Sequence, residues 1–282
     1  MSNVNQKFQI PFIKMHGLGN DFLIIDCRKN DYQFSNTQIK LLGNRNLGVG
    51  FDQLVLMYNA EKDNAHVFLK FWNSDGSTSS TCGNATRCVS DIIMNETGLD
   101  SVNIATNAEK IKCLKLKNGL ISTNLGIPKT AWNDIPLSEK CDTRKLPIEG
   151  NPIATSIGNP HCTFFVENLN KFSISKIGQE TEINPLFPDK TNVQIAEVVD
   201  ESKIKVKVWE RGSGITMASG SSACAVAFSA KRLNLTKNSV KIILDGGIVD
   251  VHCQEDGVWV SGDIKYVFSG KISSLFFDDR NN

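Results

Sequence analysis

At 282 residues, with 40% hydrophobic and 22% charged side chains, the chain has ordinary globular composition and room for two domains. Lys and Arg total 31 against 30 Asp and Glu, so no basic excess points to nucleic acid or an anionic membrane. No apolar stretch approaches the roughly eighteen residues of a membrane span, and Met1–Ile10 lacks the basic start and apolar core of a secretion signal.

Runs of apolar and β-branched residues bounded by Gly, Asn, Asp or Pro predict strands at 22–26, 53–58, 67–72, 111–116 and 119–123. A helix is expected at 35–42, capped by Ser35 or Asn36. A clearer one follows Cys82: Ala85, Cys88, Val89, Ile92 and Ile93 share one face, and Gly98 ends it. The stretch 127–151, with Pro128, Pro136 and Pro147 and then Pro152, reads as a crossing. Beyond it, strands are predicted at 162–166, 193–199, 204–208, 240–244, 248–253 and 257–261. The helix after Ser219 is apolar nearly all round from Ala223 to Phe228, so protein must surround it.

These elements repeat. Trp72 and Trp209 differ by 137 in number, as do Cys82 and Ser219, and Ile111 and Ile248. Gly119 and Gly257 differ by 138, and Gly19-Asn20 matches Gly158-Asn159 at 139. Asp52-Gln53-Leu54 is set opposite Val193-Gln194-Ile195 at 141. Offsets this uniform imply one duplicated domain, not a short-period solenoid. The expected fold class is α+β: two pseudo-symmetric domains, each a curved, mostly antiparallel sheet or barrel around a central helix. Their expected bounds are 1–127 with 266–282, and 128–265.

Cys82-Gly83-Asn84 and Ser219-Gly220-Ser221 open the two matching helices. A helix N-terminus favours a thiolate and cradles an anion with unpaired N–H groups. Paired groups of this kind suit removal of a proton from one face of a carbon and its return on the other. Asn20 and Asn159 occupy the Gly-Asn turns, Asn73 and Glu210 follow the two Trp residues, and Arg211 follows Glu210. A carboxylate and a guanidinium by a Gly-rich turn can hold both ends of a zwitterion. No cofactor is expected: the histidines (16, 66, 161, 252) lack metal-ligand spacing, and no dinucleotide or P-loop fingerprint is present. The eight cysteines (27, 82, 88, 113, 141, 162, 224, 253) lack C-x-x-C spacing, which suggests a reducing cytoplasm.

The motifs Phe12-Ile13-Lys14-Met15-His16-Gly17-Leu18-Gly19-Asn20-Asp21-Phe22, Cys82-Gly83-Asn84-Ala85-Thr86-Arg87-Cys88, Gly158-Asn159-Pro160-His161-Cys162 and Trp209-Glu210-Arg211-Gly212-Ser213-Gly214 resemble the diaminopimelate epimerase family. The resemblance spans about Phe12 to Phe268. It implies cofactor-independent conversion of LL- to meso-diaminopimelate, for lysine and peptidoglycan synthesis, in a cleft between the halves of a homodimeric protein. It also implies substrate contacts from Asn20, Gln53, Asn73, Gly83, Asn84, Asn159, Asn192, Glu210, Arg211, Gly220 and Ser221. Cys82 becomes one acid/base, with His161 and Glu210 supporting proton transfer.

Ser219 stands where the family has its second catalytic cysteine. Ile215, Ala85, Ser222 and Phe268 also depart from common family residues, the last at a position tied to dimer packing. A hydroxyl is a far weaker acid than a thiol, so Ser219 suits proton donation better than removal. It is open at this point whether the serine is an introduced substitution, a natural donor, or the mark of drift toward another reaction or binding alone. The alternatives are a proline racemase or hydroxyproline epimerase relative, a silent diaminopimelate binder, and a Cys82/His161 hydrolase.

Overall fold

The computed structural model describes residues 9–60 and 64–277. The N-terminal reading therefore falls mostly outside the described residues, as does the end of the expected 266–282 segment. Two compact units form: residues up to Lys110 with those from Ile264 onward, and Ile111–Asp263.

The first unit runs β1 (Gln9–Gly17), β2 (Asn20–Asp26), α1 (Asn36–Gly43), β3 (Gln53–Asn59), β4 (Val67–Asn73), β5 (Thr78–Ser79), α2 (Gly83–Thr97) and β6 (Ser101–Ala105). In the second come β7 (Lys110–Lys115), β8 (Ile121–Asn124), β9 (Ile153–Ser156), β10 (Pro160–Val166), α3 (Ile174–Glu182), β11 (Asn192–Asp200), β12 (Lys203–Glu210) and β13 (Gly214–Thr216). Then follow α4 (Gly220–Arg232), β14 (Ser239–Leu244), β15 (Gly247–Gln254) and β16 (Gly257–Gly262), before β17 (Lys265–Ser273) returns to the first unit.

The ladders carry the duplication. β2 pairs parallel with β3 across α1, as β10 pairs parallel with β11 across α3. β3 and β4 are antiparallel, as are β11 and β12. A parallel step across α2 joins β4 to β6, and one across α4 joins β12 to β14. Most remaining pairs are antiparallel, and each helix spans the crossover that a parallel step requires.

Register corrects one expected match. Leu54 faces Trp72 and Gln53 faces Asn73, while Val193 faces Trp209. Phe22 pairs with Gln53 as His161 pairs with Asn192. The partner of Gln53 in the repeat is thus Asn192, at offset 139, not Gln194 at 141. Gln194 corresponds to Val55, since it pairs with Thr163 as Val55 pairs with Ile24.

Residues 111–124 group with the second unit. β7 and β8 pair with each other, and β8 lies antiparallel to β16, Trp259 facing Asn124. They are the first-copy counterparts of β15 and β16, but their hydrogen bonds place them in the second unit. Repeat boundaries and compact units therefore differ by the length of one hairpin.

Phe22 to Ile25 are all buried, as a strand covered on both faces must be. Leu23, Ile25, Leu54 and Leu56 pack with Ile39 and Leu42 of α1 and with Phe51. Phe22, Ile24 and Val55 fall on the opposite side of the pleat, the side α2 crosses. Each such fully buried side chain contributes about 1.5–3 kcal/mol. Ser35 caps α1 through a capping box with Gln38. α3 is a helix that apolar spacing alone left unread; Ser173 caps it, accepting from Lys176 N. Its Gly178 lies under Trp209, so close that an added Cβ would meet the indole at 2.4 Å. α4 contacts β9, β10, β11, β12, β14, β15 and β16, the enclosure its apolar circumference requires.

Candidate active site

In the first unit the β1–β2 hairpin turns at Leu18 (φ 55) and Gly19 (φ 85), two left-handed residues that deliver Asn20 at the start of β2. Leucine resists that conformation, so the turn is held from outside. Lys14 Nζ bonds Asp21 Oδ2 at 2.6 Å and also reaches Gly50 O, while Arg45 bridges Asp21 and Asp52 at 2.8 Å each. Burial alone would raise the Asp21 carboxyl, but hydrogen bonds and charge from Arg45 and Lys14 pull it down to about 2.

Asn20 joins this frame to α2. Its Nδ2 donates to Asp52 Oδ2 at 2.9 Å, and its Oδ1 accepts from Asn84 Nδ2 at 3.2 Å. Asn84 Oδ1 in turn accepts from Arg87, a fully buried guanidinium, at 2.6 Å. Gln53 donates to Asn73 Oδ1 at 2.9 Å, and Asn73 donates to Ser77 Oγ at 3.0 Å. Cys82 is the N-cap of α2, half-buried, and its side chain makes no cap hydrogen bond. Burial pushes the Cys88 and Cys162 thiols far up.

The second unit repeats the plan with different chemistry. Ser219 is the N-cap of α4, and its hydroxyl accepts from Ser222 N at 3.4 Å and lies 3.5 Å from Ser221 Oγ. It is 5% exposed. Gly220 opens the helix beside it as Gly83 opens α2. Asn192 donates to Pro160 O at 3.0 Å and accepts from Arg211 N at 3.1 Å, holding the Glu210-Arg211 turn. Arg211 also donates to Asp189 O at 2.8 Å, and Glu210 accepts from Thr216 at 2.7 Å. Glu182, which the sequence did not single out, accepts from Trp209 Nε1 at 2.6 Å and from Gly212 N at 3.1 Å. A cavity of about 260 Å³ is lined by Asn159 and Arg211 together with Lys129, Asp134, Gly158 and Asp189.

His161 is fully buried, with Nε2 2.9 Å from Asn159 Oδ1 and Nδ1 3.0 Å from Gln194 Nε2. Burial, helped by the Arg211 charge, lowers it from 6.5 to about 3. It is neutral in the folded protein with both nitrogens occupied. The unfolded chain binds the extra proton throughout the interval from pH 6.5 down to 3. Stability therefore falls with pH across it, by about 1.4 kcal/mol per pH unit for this one group. His161→Phe, which copies Phe22, is expected to remove that slope in urea unfolding at pH 7, 6 and 5. A slope equal to the parent's contradicts neutral burial.

Among the described residues no His, Cys, Asp and Glu side chains gather in a group that could hold a metal ion, and no helix is long and apolar enough to cross a membrane. Comparison with known proteins decides the family: residues 12–130 and 153–267 match diaminopimelate epimerase. The chain belongs to the diaminopimelate epimerase family. A diaminopimelate epimerase from Acidiphilium cryptum is 39% identical over 270 residues, covering 94% of this chain and 96% of the relative. One from Pelagibacter ubique is 43% identical over 242 residues, covering 83% and 87%. Among solved structures, a hydroxyproline epimerase from Agrobacterium vitis superposes with a TM-score of 0.65 at 12% identity, over 96% of this chain and 93% of its own. A Bacillus anthracis phenazine biosynthesis protein of the PhzF family gives 0.66 at 14%, over 94% and 99%. At such identities these two share the fold alone. Membership in the epimerase family makes the protein an isomerase.

Proposed function

We propose that the protein interconverts LL- and meso-diaminopimelate without a cofactor, by proton transfer at one α-carbon. The observation that carries this reading is the equivalence of Cys82 and Ser219 as N-caps of the two repeated helices, in a member of this family. The Cys82 thiolate takes the α-proton to become a thiol, and the electron pair stays on carbon, stabilised by hydrogen bonds to the carboxylate. The Ser219 hydroxyl delivers a proton to the opposite face, its oxygen recovers one from water, and the Cys82 thiol gives its proton to the hydroxide so formed, which restores the thiolate. Backbone N–H groups at Gly83 and Gly220, with Asn84 and Ser221, suit a carboxylate at each helix start. Asn20, Gln53, Asn73, Asn159, Glu210 and Arg211 suit the remaining charged ends. Asn192 acts by holding the Arg211 turn.

The same reading puts the reaction in the cytoplasm, within lysine and peptidoglycan precursor synthesis. It also expects a homodimer, a reading supported by the exposed Tyr266, Val267 and Phe268 of β17. Chiral chromatography after incubation with LL-diaminopimelate should show the meso isomer accumulating, while L-proline and trans-4-hydroxy-L-proline remain unchanged. Turnover of either proline in place of diaminopimelate would move the protein to the racemase alternative. One observation favours a silent binder: the Ser219 oxygen serves the first turn of α4 as its cap. Tight binding of diaminopimelate with no product from either isomer would establish that reading.

A further inference from the structure

The duplication supplies an internal control for deciding which buried polar groups the fold needs. On the helix-facing side of the first copy, Phe22, Ile24, Val55 and Ala85 are buried and wholly apolar. Ladder register and the two N-caps align these with His161, Thr163, Gln194 and Ser222. All four are buried too, none more than 1% exposed, and all four are polar. The same backbone therefore closes around α2 with an apolar set and around α4 with a hydrogen-bonded one. Replacing a buried polar pair by apolar groups of like shape is close to neutral for folding, so stability alone does not account for the second arrangement.

The bonds run in one direction. Thr163 Oγ1 donates to Gln194 Oε1 at 3.1 Å, which fixes the amide. Gln194 Nε2 then spends one hydrogen on His161 Nδ1 at 3.0 Å and the other on Ser222 Oγ at 3.0 Å. With Nδ1 accepting, the imidazole proton lies on Nε2 and is given to Asn159 Oδ1 at 2.9 Å. Asn159 is thereby left with Nδ2 as its outward group, and it lines the cavity that Arg211 also lines. At the other end, Ser222 is the residue whose N–H bonds the Ser219 oxygen.

We propose that Gln194 is a positioning residue: through His161 it sets the Asn159 amide so that Nδ2, beside Arg211, meets a substrate carboxylate. Through Ser222 it ties that donor to the turn that begins at Ser219. The inference rests on the diaminopimelate reading, whose two carboxylates supply the group recognised. His161 here is neither acid nor base; it passes an orientation from Gln194 to Asn159.

The test compares the unaltered chain with Gln194→Leu and with the double variant Gln194→Val/Ser222→Ala, which restores the residue types that the first copy carries at Val55 and Ala85. Titration calorimetry with meso-diaminopimelate is expected to show affinity reduced about tenfold in both, as one aligned hydrogen bond is lost. In ¹⁵N NMR the His161 ring of the unaltered chain is expected as a single tautomer with the proton on Nε2, and as a tautomer mixture in the variants. Equal affinity and an unchanged ring spectrum in a folded variant overturn the proposal and leave the epimerase reading standing. A ring proton on Nδ1 in the unaltered chain overturns it without any variant. Failure of the unaltered chain to bind diaminopimelate at all overturns both.

Discussion

Ser219→Cys is expected to speed diaminopimelate epimerisation by about 10²-fold or more while lowering stability by about 1 kcal/mol. The gain follows from acidity. A thiol near a helix N-terminus can exist as either acid or thiolate near neutral pH, so one group can give the proton in one direction and take it in the other. A serine can give it but rarely take it back. The loss follows from the structure: the Ser219 oxygen accepts the Ser222 N–H as a true N-cap, whereas the Cys82 side chain makes no cap hydrogen bond to α2. A sulfur at position 219 should give up most of that bond. Initial rates from both isomers, with urea unfolding of both proteins, check the two halves of the expectation. A cysteine variant no faster than the parent would remove Ser219 from the proton path. The faster variant should also become sensitive to oxidation, since two thiols serving one carbon can couple.

Cys82→Ala should act on the other half of the reaction: exchange of the α-proton that Cys82 removes falls by about 10³-fold or more. Cys82 is half-buried and its side chain makes no cap hydrogen bond, so α2 keeps its N-terminal hydrogen bonding when the thiol is removed. The six cysteines 27, 88, 113, 162, 224 and 253 are buried, and burial raises the thiols of Cys27, Cys88, Cys162 and Cys253. None of those four is placed to take over. Measured exchange of each isomer by the variant separates loss of the base from loss of binding, which titration calorimetry reports independently.

Much of this organisation was legible in the sequence because the duplication gives each signal twice. The paired Trp residues, the Gly-Asn turns and the two small-residue helix starts located α2, α4 and the strands beside them. Where one copy had diverged, the reading slipped. Gln53 resembles Gln194 in residue type, although ladder register makes Asn192 its counterpart, since Phe22 faces Gln53 as His161 faces Asn192. Position 194 is instead the polar counterpart of Val55, which hid its connection to His161 and Ser222. α3 escaped because Gly178 weakens its helical signal; the glycine is required by the Trp209 ring and not by the backbone. The order of the repeat did point to it, since a parallel β10–β11 step needs a crossover as β2–β3 does. Arg87 and Glu182 went unread for another reason. Charged residues are expected on surfaces, and only the fold shows these two buried behind Asn84 and Trp209.

Proton NMR in heavy water tests the account most directly, with LL- and meso-diaminopimelate supplied separately to the protein with Ser219 in place. The account expects α-proton loss from the isomer that meets Cys82, much slower loss from the isomer that must be deprotonated at Ser219, and no loss from the first with Cys82→Ala. Exchange of both isomers at equal rates that survives Cys82→Ala would contradict it.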